Sequence, residues 1–290
     1  MKHLGTMLLL SLPVQAGLIF YDGQDAGSSF VNTAYDPAGM TYTMANSSVL
    51  PVTGGRRIVN GGGDILNQND YHSLSLAPAD NWDNAGLLDA GSGSVGGGNV
   101  SGTLYASFLL RSQSPVSGTL ENKAISPGGA YAAFQLGLGS GSGATGKLGM
   151  GNHWDAWAYS LFGVAGNKDL VQGSGGSTWL DYNANVHWMV ARIDFTAGAA
   201  DNFTVWLDPN PDDLDAQASG VRRATGTGDL AFNQVSYRAG NQPGVNVWEF
   251  DEVRFGTSWA DMQSVTVVPE ASTASILALG LALLLRRVRA

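Results

Sequence analysis

The chain has no cysteine. That excludes a disulfide framework, a thiol nucleophile and cysteine-ligated zinc, and it leaves stability to core burial and possible metal. Basic residues are also few, 15 Lys and Arg against 24 Asp and Glu, for a net charge of −9. Such a balance argues against nucleic acid or anionic lipid as partners. The four histidines, His3, His72, His153 and His187, show no His-x-x-x-His spacing for zinc. There is no Walker-type phosphate loop. The runs Gly91-Ser92-Gly93-Ser94 and Gly139-Ser140-Gly141-Ser142-Gly143 alternate in the wrong phase for Gly-x-Ser-x-Gly.

Long continuously apolar runs are few too, and the longest lies near the C-terminus. Residues 271–285 carry no charge, and Ile276 to Leu285 is continuously apolar or glycine, followed at once by Arg286, Arg287 and Arg289. A spanning helix needs roughly 20 apolar residues, so these fifteen make a short anchor whose arginines favour the cytoplasmic side. Preceded by Val268-Pro269-Glu270-Ala271-Ser272, the tail resembles the PEP-CTERM sorting signal of Gram-negative bacteria, with Ala271 where that pattern has its second proline. The resemblance implies a box at 268–272, a membrane segment at 271–285 and a basic end at 286–290. It also implies processing by an exosortase-type enzyme after a transient stay in the inner membrane. At the other end Lys2 and His3 precede a short apolar stretch, Met7 to Leu12. Val14-Gln15-Ala16 then offers the residues a signal peptidase reads, so cleavage is expected after Ala16.

With residues 1–16 and 267–290 set aside, residues 17–266 are expected to form one domain. Leaving out Lys2, Arg286, Arg287, Arg289 and Glu270 takes the 15 basic and 24 acidic residues to 11 and 23, a net charge near −12. Glycine, 40 residues in 290, is at roughly twice its usual share. It clusters at Gly61 to Gly63, Gly91 to Gly98, Gly137 to Gly146 and Gly173 to Gly176, which read as loops without a fixed period. Between them lie short strand-like stretches: Leu18 to Tyr21, Leu104 to Leu110, Tyr131 to Leu138, Trp188 to Phe195, Phe203 to Leu207 and Val245 to Phe255. No long helical period occurs. The pattern predicts an all-β, antiparallel β-sandwich.

Two of these strands can be assigned faces. Met189, Ala191, Ile193 and Phe195 form a core face, and after the turn 197–202 it continues in Phe203, Val205 and Leu207. A hairpin then places Trp188, Arg192, Asp194, Trp206 and Asp208 together on the outer surface, which is either concave or covered.

The blocks Leu104 to Arg111, Trp188 to Phe195, Val205 to Pro209 and Phe250 to Asp261 occur in order, and together they resemble the LamG-like, concanavalin A-like jelly-roll domains often joined to PEP-CTERM tails. The resemblance implies two packed antiparallel sheets with a concave face that holds glycans in relatives. It also implies a possible structural calcium between Asp22 and Asp251. A second calcium candidate is Asp208 to Asp215, spaced like the start of an EF-hand loop but without its later glycine and glutamate.

Glycoside hydrolases on this fold place three acids on one strand face at i, i+2 and i+4. Here Glu249 and Asp251 share a face in a regular strand, Val253 takes the third position and Glu252 points the other way. The constellation is incomplete, and no enzymatic activity is expected. For glycan binding the candidates are Trp82, Trp154, Trp157, Trp188, Arg192 and Trp206, since an indole face covers the CH surface of a sugar while polar neighbours bond its hydroxyls. Trp179, Trp248 and Trp259 read as caps on the core.

The expected protein is thus an exported, non-catalytic component of the cell surface or extracellular matrix of a Gram-negative-type bacterium. Its expected partner is extracellular polysaccharide, with a purely structural matrix role, or after it a glycoside hydrolase of the concanavalin A-like fold, as the alternatives. Protein recovered from the surface should begin at Gly17 by N-terminal mass spectrometry. Replacing Pro269 and Glu270 with alanine should leave the tail uncut in the membrane fraction; equal processing with and without the box would count against the sorting signal.

Overall fold

The computed structural model describes residues 17–24, 34–44, 46–60, 68–74, 76, 80–112, 131–139, 145–152, 159–166, 168–172, 185–210, 222–240 and 247–264. The elements run β1 (Leu18–Asp22), β2 (Ala34–Asp36), β3 (Arg56–Asn60), β4 (Gln68–Ser73), the one-turn helix α1 (Asn81–Asn84), β5 (Leu88–Asp89), β6 (Ser94–Gly96), β7 (Gly102–Ser112), β8 (Tyr131–Leu138) and β9 (Thr145–Asn152). They continue β10 (Tyr159–Gly163), β11 (Lys168–Asp169), β12 (Val171–Gln172), β13 (His187–Phe195), β14 (Asp201–Leu207), β15 (Arg222–Gly228), β16 (Ala231–Phe232), β17 (Gln234–Gly240) and β18 (Val247–Gly256), closing with a 3-10 turn at Ala260–Gln263.

These strands form an all-β antiparallel sandwich. Among the described residues one sheet has nine strands, in the order β12-β15-β14-β13-β7-β18-β3-β2 with β1 also on β18; the other has six, in the order β11-β10-β9-β8-β17-β4. A small third sheet, β16-β6-β5, lies beside them. Alternation decides which side chains meet between the sheets. Leu104, Ala106, Phe108 and Leu110 of β7 and Met189, Ala191, Ile193 and Phe195 of β13 face Phe134, Leu136, Leu148, Met150, Val235 and Tyr237 from the six-stranded sheet, in one continuous core. Two stacked pairs bridge the layers, Phe108 on Phe134 and Tyr237 on Phe250, each with ring centroids 4.6 Å apart.

The predicted hairpin is present, with Met189 opposite Leu207, Ala191 opposite Val205 and Ile193 opposite Phe203. The glycine runs are not all loops. β6 lies inside Gly91 to Gly98, and β9 starts inside Gly137 to Gly146. In β9 a glycine is what the packing requires: a Cβ on Gly149 would sit 2.1 Å from the ring of Phe162, which lies against that strand from β10. In β15, Arg-Arg-Ala-Thr-Gly-Thr-Gly, only Thr225 and Thr227 favour a strand, and the segment holds its place by pairing with β14 along its length and with β12 at Arg222 and Arg223.

Gly149→Ala should therefore lower stability by about 1–3 kcal/mol through overpacking, read as a lower urea midpoint. Adding Phe162→Ala should cost less in that background than alone. Strict additivity in the double-mutant cycle would mean that the ring does not rest on Gly149.

Candidate functional site

The outward face of the nine-stranded sheet carries most of the buried charge, and a β-bulge in β18 puts it there. Pairing with β7 shifts register between Asp251 and Arg254, and Glu252 takes a φ of 58°. One extra residue reverses the alternation. Trp248 and Phe250 point into the core before the bulge, and Val253 and Phe255 do so after it. This corrects the regular-strand expectation: Val253 faces inward, and Glu252 joins Glu249, Asp251 and Arg254 on the outer side.

The four charged residues are completely buried, each at 0 % exposure. Glu249 accepts from Arg56 Nε at 2.6 Å and from the Arg111 guanidinium, and Arg56 also reaches Asp36 at 2.7 Å. Glu252 accepts from Thr53 N at 2.8 Å, from the Tyr21 hydroxyl at 2.8 Å and from Arg254 Nη2 at 2.6 Å. Arg254 further donates to the carbonyls of Ser264, at 2.9 Å, and Pro51, and its guanidinium lies 5.2 Å from the centre of the Tyr21 ring. Asp251 receives Met40 N and Glu252 N, both at 2.8 Å.

Burial pushes the Asp251 carboxyl up to about 8, against the lowering effect of the Met40 N–H, and the neighbouring Glu252 charge raises it further. Burial also raises Glu252 and lowers Arg254, and their mutual attraction opposes both shifts. With Asp251 protonated, Asp36, Glu249 and Glu252 balance Arg56, Arg111 and Arg254. These carboxylates serve as a clamp. What they hold is a hairpin of residues 40–52, whose turn is closed by Met44 N to Ser48 O at 2.8 Å and Leu50 N to Tyr42 O at 2.9 Å. Arg56 also fixes its entry through the Ala38 carbonyl at 2.5 Å.

The hairpin presents Met40, Tyr42, Met44 and Leu50 downward onto Leu109, Trp188 and Val190 in a second apolar cluster. Trp188 is 0 % exposed, between Tyr42 at 5.9 Å and Trp259 at 5.2 Å. At its other side Tyr42 bonds Asp208, whose carboxylate also holds His187 Nδ1 at 2.6 Å and Trp188 N at 2.9 Å.

Toward the opposite end the same face is open. The pairing aligns Tyr105, Arg192, Thr204 and Thr225 in one row across β7, β13, β14 and β15, and Thr103, Asp194, Asn202 and Thr227 in the next. Tyr105, Trp259, Arg192, Asp194 and Thr204 are half-buried, while Asn202, Thr225 and Thr227 are exposed. Tyr105 and Trp259 rings lie 6.5 Å apart. Asp194 accepts from Thr103 Oγ1 at 2.7 Å and from Arg192 Nε at 3.0 Å.

Of the glycan-binding candidates singled out in the sequence, Arg192 alone among the described ones lies on this open region, beside Asp194, which the predicted hairpin brings to the same surface. Trp188, and Trp206 at 4 % exposure, share its face but are covered, so neither offers an indole face to a sugar. Trp82 is also corrected: it is 4 % exposed in α1, against Phe255 at 5.3 Å and Phe232 at 6.0 Å. Trp248 lies fully within the core. Trp154, Trp157 and Trp179 lie outside the described residues, as do Ala16, the membrane segment and the sorting residues Val268, Pro269, Glu270, Arg286, Arg287 and Arg289. Among the described residues no helix is long and apolar enough to cross a membrane.

Asp22 Oδ1 accepts from Gln24 N at 2.7 Å, both Asp251 oxygens serve backbone N–H groups, and no cluster of three metal-binding side chains exists among the described residues. Asp208 is engaged by the hairpin, and residues 211–215 lie outside the described residues. The sequence reading does not single out Tyr105 and gives Trp259 as a cap on the core. Tyr105 sits at an outward position of the strand 104–110, a signal that alternation does carry, whereas Trp259 lies after β18, just ahead of the 3-10 turn at Ala260–Gln263, where alternation assigns no face.

No family model matches the chain. No curated protein matches it either. It is similar to several solved structures. An endo-β-1,4-glucuronan lyase from the fungus Trichoderma reesei is 14 % identical over 84 % of this chain and 97 % of that one, with a TM-score of 0.41. The T. cruzi calreticulin globular domain is 12 % identical over 83 % and 88 %, with a TM-score of 0.40. The binding domain of botulinum neurotoxin serotype D is 8 % identical over 85 % of this chain and 50 % of that one, with a TM-score of 0.38.

The raised Asp251 carboxyl makes a pH prediction. Its folded value lies above the unfolded one of about 3.9, so the folded state binds the extra proton and stability falls as pH rises from about 4 through about 8. The melting temperature should therefore rise by several degrees as pH is lowered from 8 to 5, at about 2–4 °C per kcal/mol for a domain of this size. Asp251→Asn should flatten that slope; an unchanged slope would mean that Asp251 is ionised throughout.

Proposed function

We propose that this protein is an exported, non-catalytic component of the cell surface or extracellular matrix whose concanavalin A-like, LamG-like jelly-roll domain binds polysaccharide. The observation that carries the reading is the half-buried pair Tyr105 and Trp259 beside Arg192 and Asp194 on the open end of the outer face. A sugar has apolar CH faces and a rim of hydroxyls. Two aromatic rings supply a surface for the first, and the guanidinium, the carboxylate and the hydroxyls of Thr103, Thr204 and Thr225 supply donors and acceptors for the second. Sites with few convergent polar groups around an aromatic floor suit small polar ligands.

A non-catalytic role is favoured because the three carboxylates gathered by the β18 bulge are fully buried and committed to Arg56, Arg111, Arg254 and backbone N–H groups. General acid catalysis needs a carboxyl within hydrogen-bond reach of the scissile oxygen. Export through a signal peptide at 1–16, and sorting by an exosortase-type enzyme through 268–290, complete the proposal. The basis for the first is Lys2 and His3 ahead of the apolar stretch Met7 to Leu12 and Val14-Gln15-Ala16, and for the second the order of box, apolar run and arginines.

Isothermal titration of the exported chain with soluble glycans should show saturable binding. Tyr105→Ala and Trp259→Ala should each weaken it about tenfold, equivalent to about 1.4 kcal/mol, whereas Tyr105→Phe should retain it. Absence of binding across a broad glycan panel would instead favour a purely structural matrix role.

A further inference from the structure

The open face differs in charge from the rest of the molecule. The chain as a whole carries −9, yet β13 and β15 bring two guanidiniums to one side of the sheet. Arg192 stands in the row with Tyr105, Thr204 and Thr225; Arg223 stands in the next row, opposite Trp206 and on the same side. Arg223 is exposed and Arg192 is 35 % exposed at its side chain. With neighbouring strands about 4.8 Å apart and alternate residues about 6.7 Å apart, the two Cα atoms are separated by roughly 12 Å, about the length of two sugar rings. Thr204 and Thr225 lie between them.

One carboxylate, Asp194, interrupts this patch among the described residues of these rows, and it is already bonded to Thr103 and Arg192. Its pair with Arg192 is half-buried at the surface, with side chains at 35 % and 34 % exposure. Ion pairs with that much access to water contribute little, so a ligand anion can take over the guanidinium at little cost. A guanidinium also matches a carboxylate or sulfate in fork geometry better than it matches a neutral hydroxyl.

The acidity of the whole molecule opposes an anionic ligand, but distance decides between the two effects. Charges further away than about 8 Å are largely screened at physiological ionic strength. A contact at about 4 Å lies well inside that screening length, so the nearest guanidiniums act on a bound anion far more strongly than the distant carboxylates do.

We infer that the polysaccharide this face takes is anionic, carrying carboxylate or sulfate groups, with Arg192 and Arg223 as its two anion contacts and the Tyr105–Trp259 pair beneath the sugar ring. The inference rests on the glycan-binding reading above and adds the class of ligand.

The test uses the full chain with three polymers, namely dextran, dextran sulfate and polygalacturonate, in titrations at 50 and 300 mM salt. At least one anionic polymer should bind tenfold or more tighter than dextran, and that advantage should shrink at the higher salt. Arg223→Gln and Arg192→Gln should each collapse the ratio of anionic to neutral affinity several-fold, with unchanged melting temperatures as the folding control. Carboxylate and sulfate are told apart by which polymer binds. Dextran binding as well as its sulfate, with sensitivity to Tyr105→Ala, would overturn this inference and leave the glycan reading standing. A ratio unaffected by Arg223→Gln would overturn the assigned contacts. No binding to any polymer, together with silence across the neutral panel, would remove the glycan reading itself.

Discussion

Moving a carboxylate or a guanidinium out of water costs several kcal/mol per ion even after relaxation, and this protein does so four times along one strand. Glu249, Asp251, Glu252 and Arg254 are all fully buried on the outer side of β18. The arrangement is tolerable because each group has partners: Arg56 and Arg111 for Glu249, Arg254 with Thr53 and Tyr21 for Glu252, and backbone N–H groups for Asp251. Asp251, pushed up to about 8, can shed its charge and leave the remainder balanced. Removing one partner would strand the other, so the network specifies a position for every segment that touches it.

The segment that touches it most is the hairpin of residues 40–52. Met40 N, Thr53 N and the Pro51 carbonyl are all bound by side chains of β18, so the chain returns over the sheet at a fixed place. That makes the sandwich locally three layers thick. The hairpin covers Trp188 and Val190 with Tyr42, Met44 and Leu50, and it ends where Trp259 and Tyr105 begin. One clamp therefore divides the outer face into a closed apolar half and an open polar half, and the proposed binding surface is the half left open.

The open half owes its character to register. Thr103, Tyr105, Arg192, Asp194, Thr204, Thr225 and Arg223 come from four strands, and they share a face because the pairing keeps their outward positions aligned. A slip of one residue in β14 or β15 would exchange Thr204 or Thr225 for core residues such as Val205 or Ala224. Register here is pinned from the inside, by apolar residues, and the polar surface inherits its order from the core.

The sequence alone determined the parts that follow from local periodicity. The antiparallel all-β architecture, the β13–β14 hairpin, its core face and the outward placement of Arg192 all follow from alternation of apolar residues. That pattern is a direct consequence of the two-residue repeat of a strand. Tertiary structure decided the rest. The bulge at Glu252 is invisible in Glu-Phe-Asp-Glu-Val-Arg, because reversing the phase depends on Val253 and Phe255 finding the core and on Arg254 finding Glu252 and Pro51. Which tryptophans are covered was likewise undecidable locally. Trp188 and Trp206 sit at positions equivalent to Arg192, and Trp188 differs by the hairpin that lies over it. Trp82 and Trp259, in a one-turn helix and a closing turn, exchanged their expected roles because burial is a property of what the rest of the chain brings alongside.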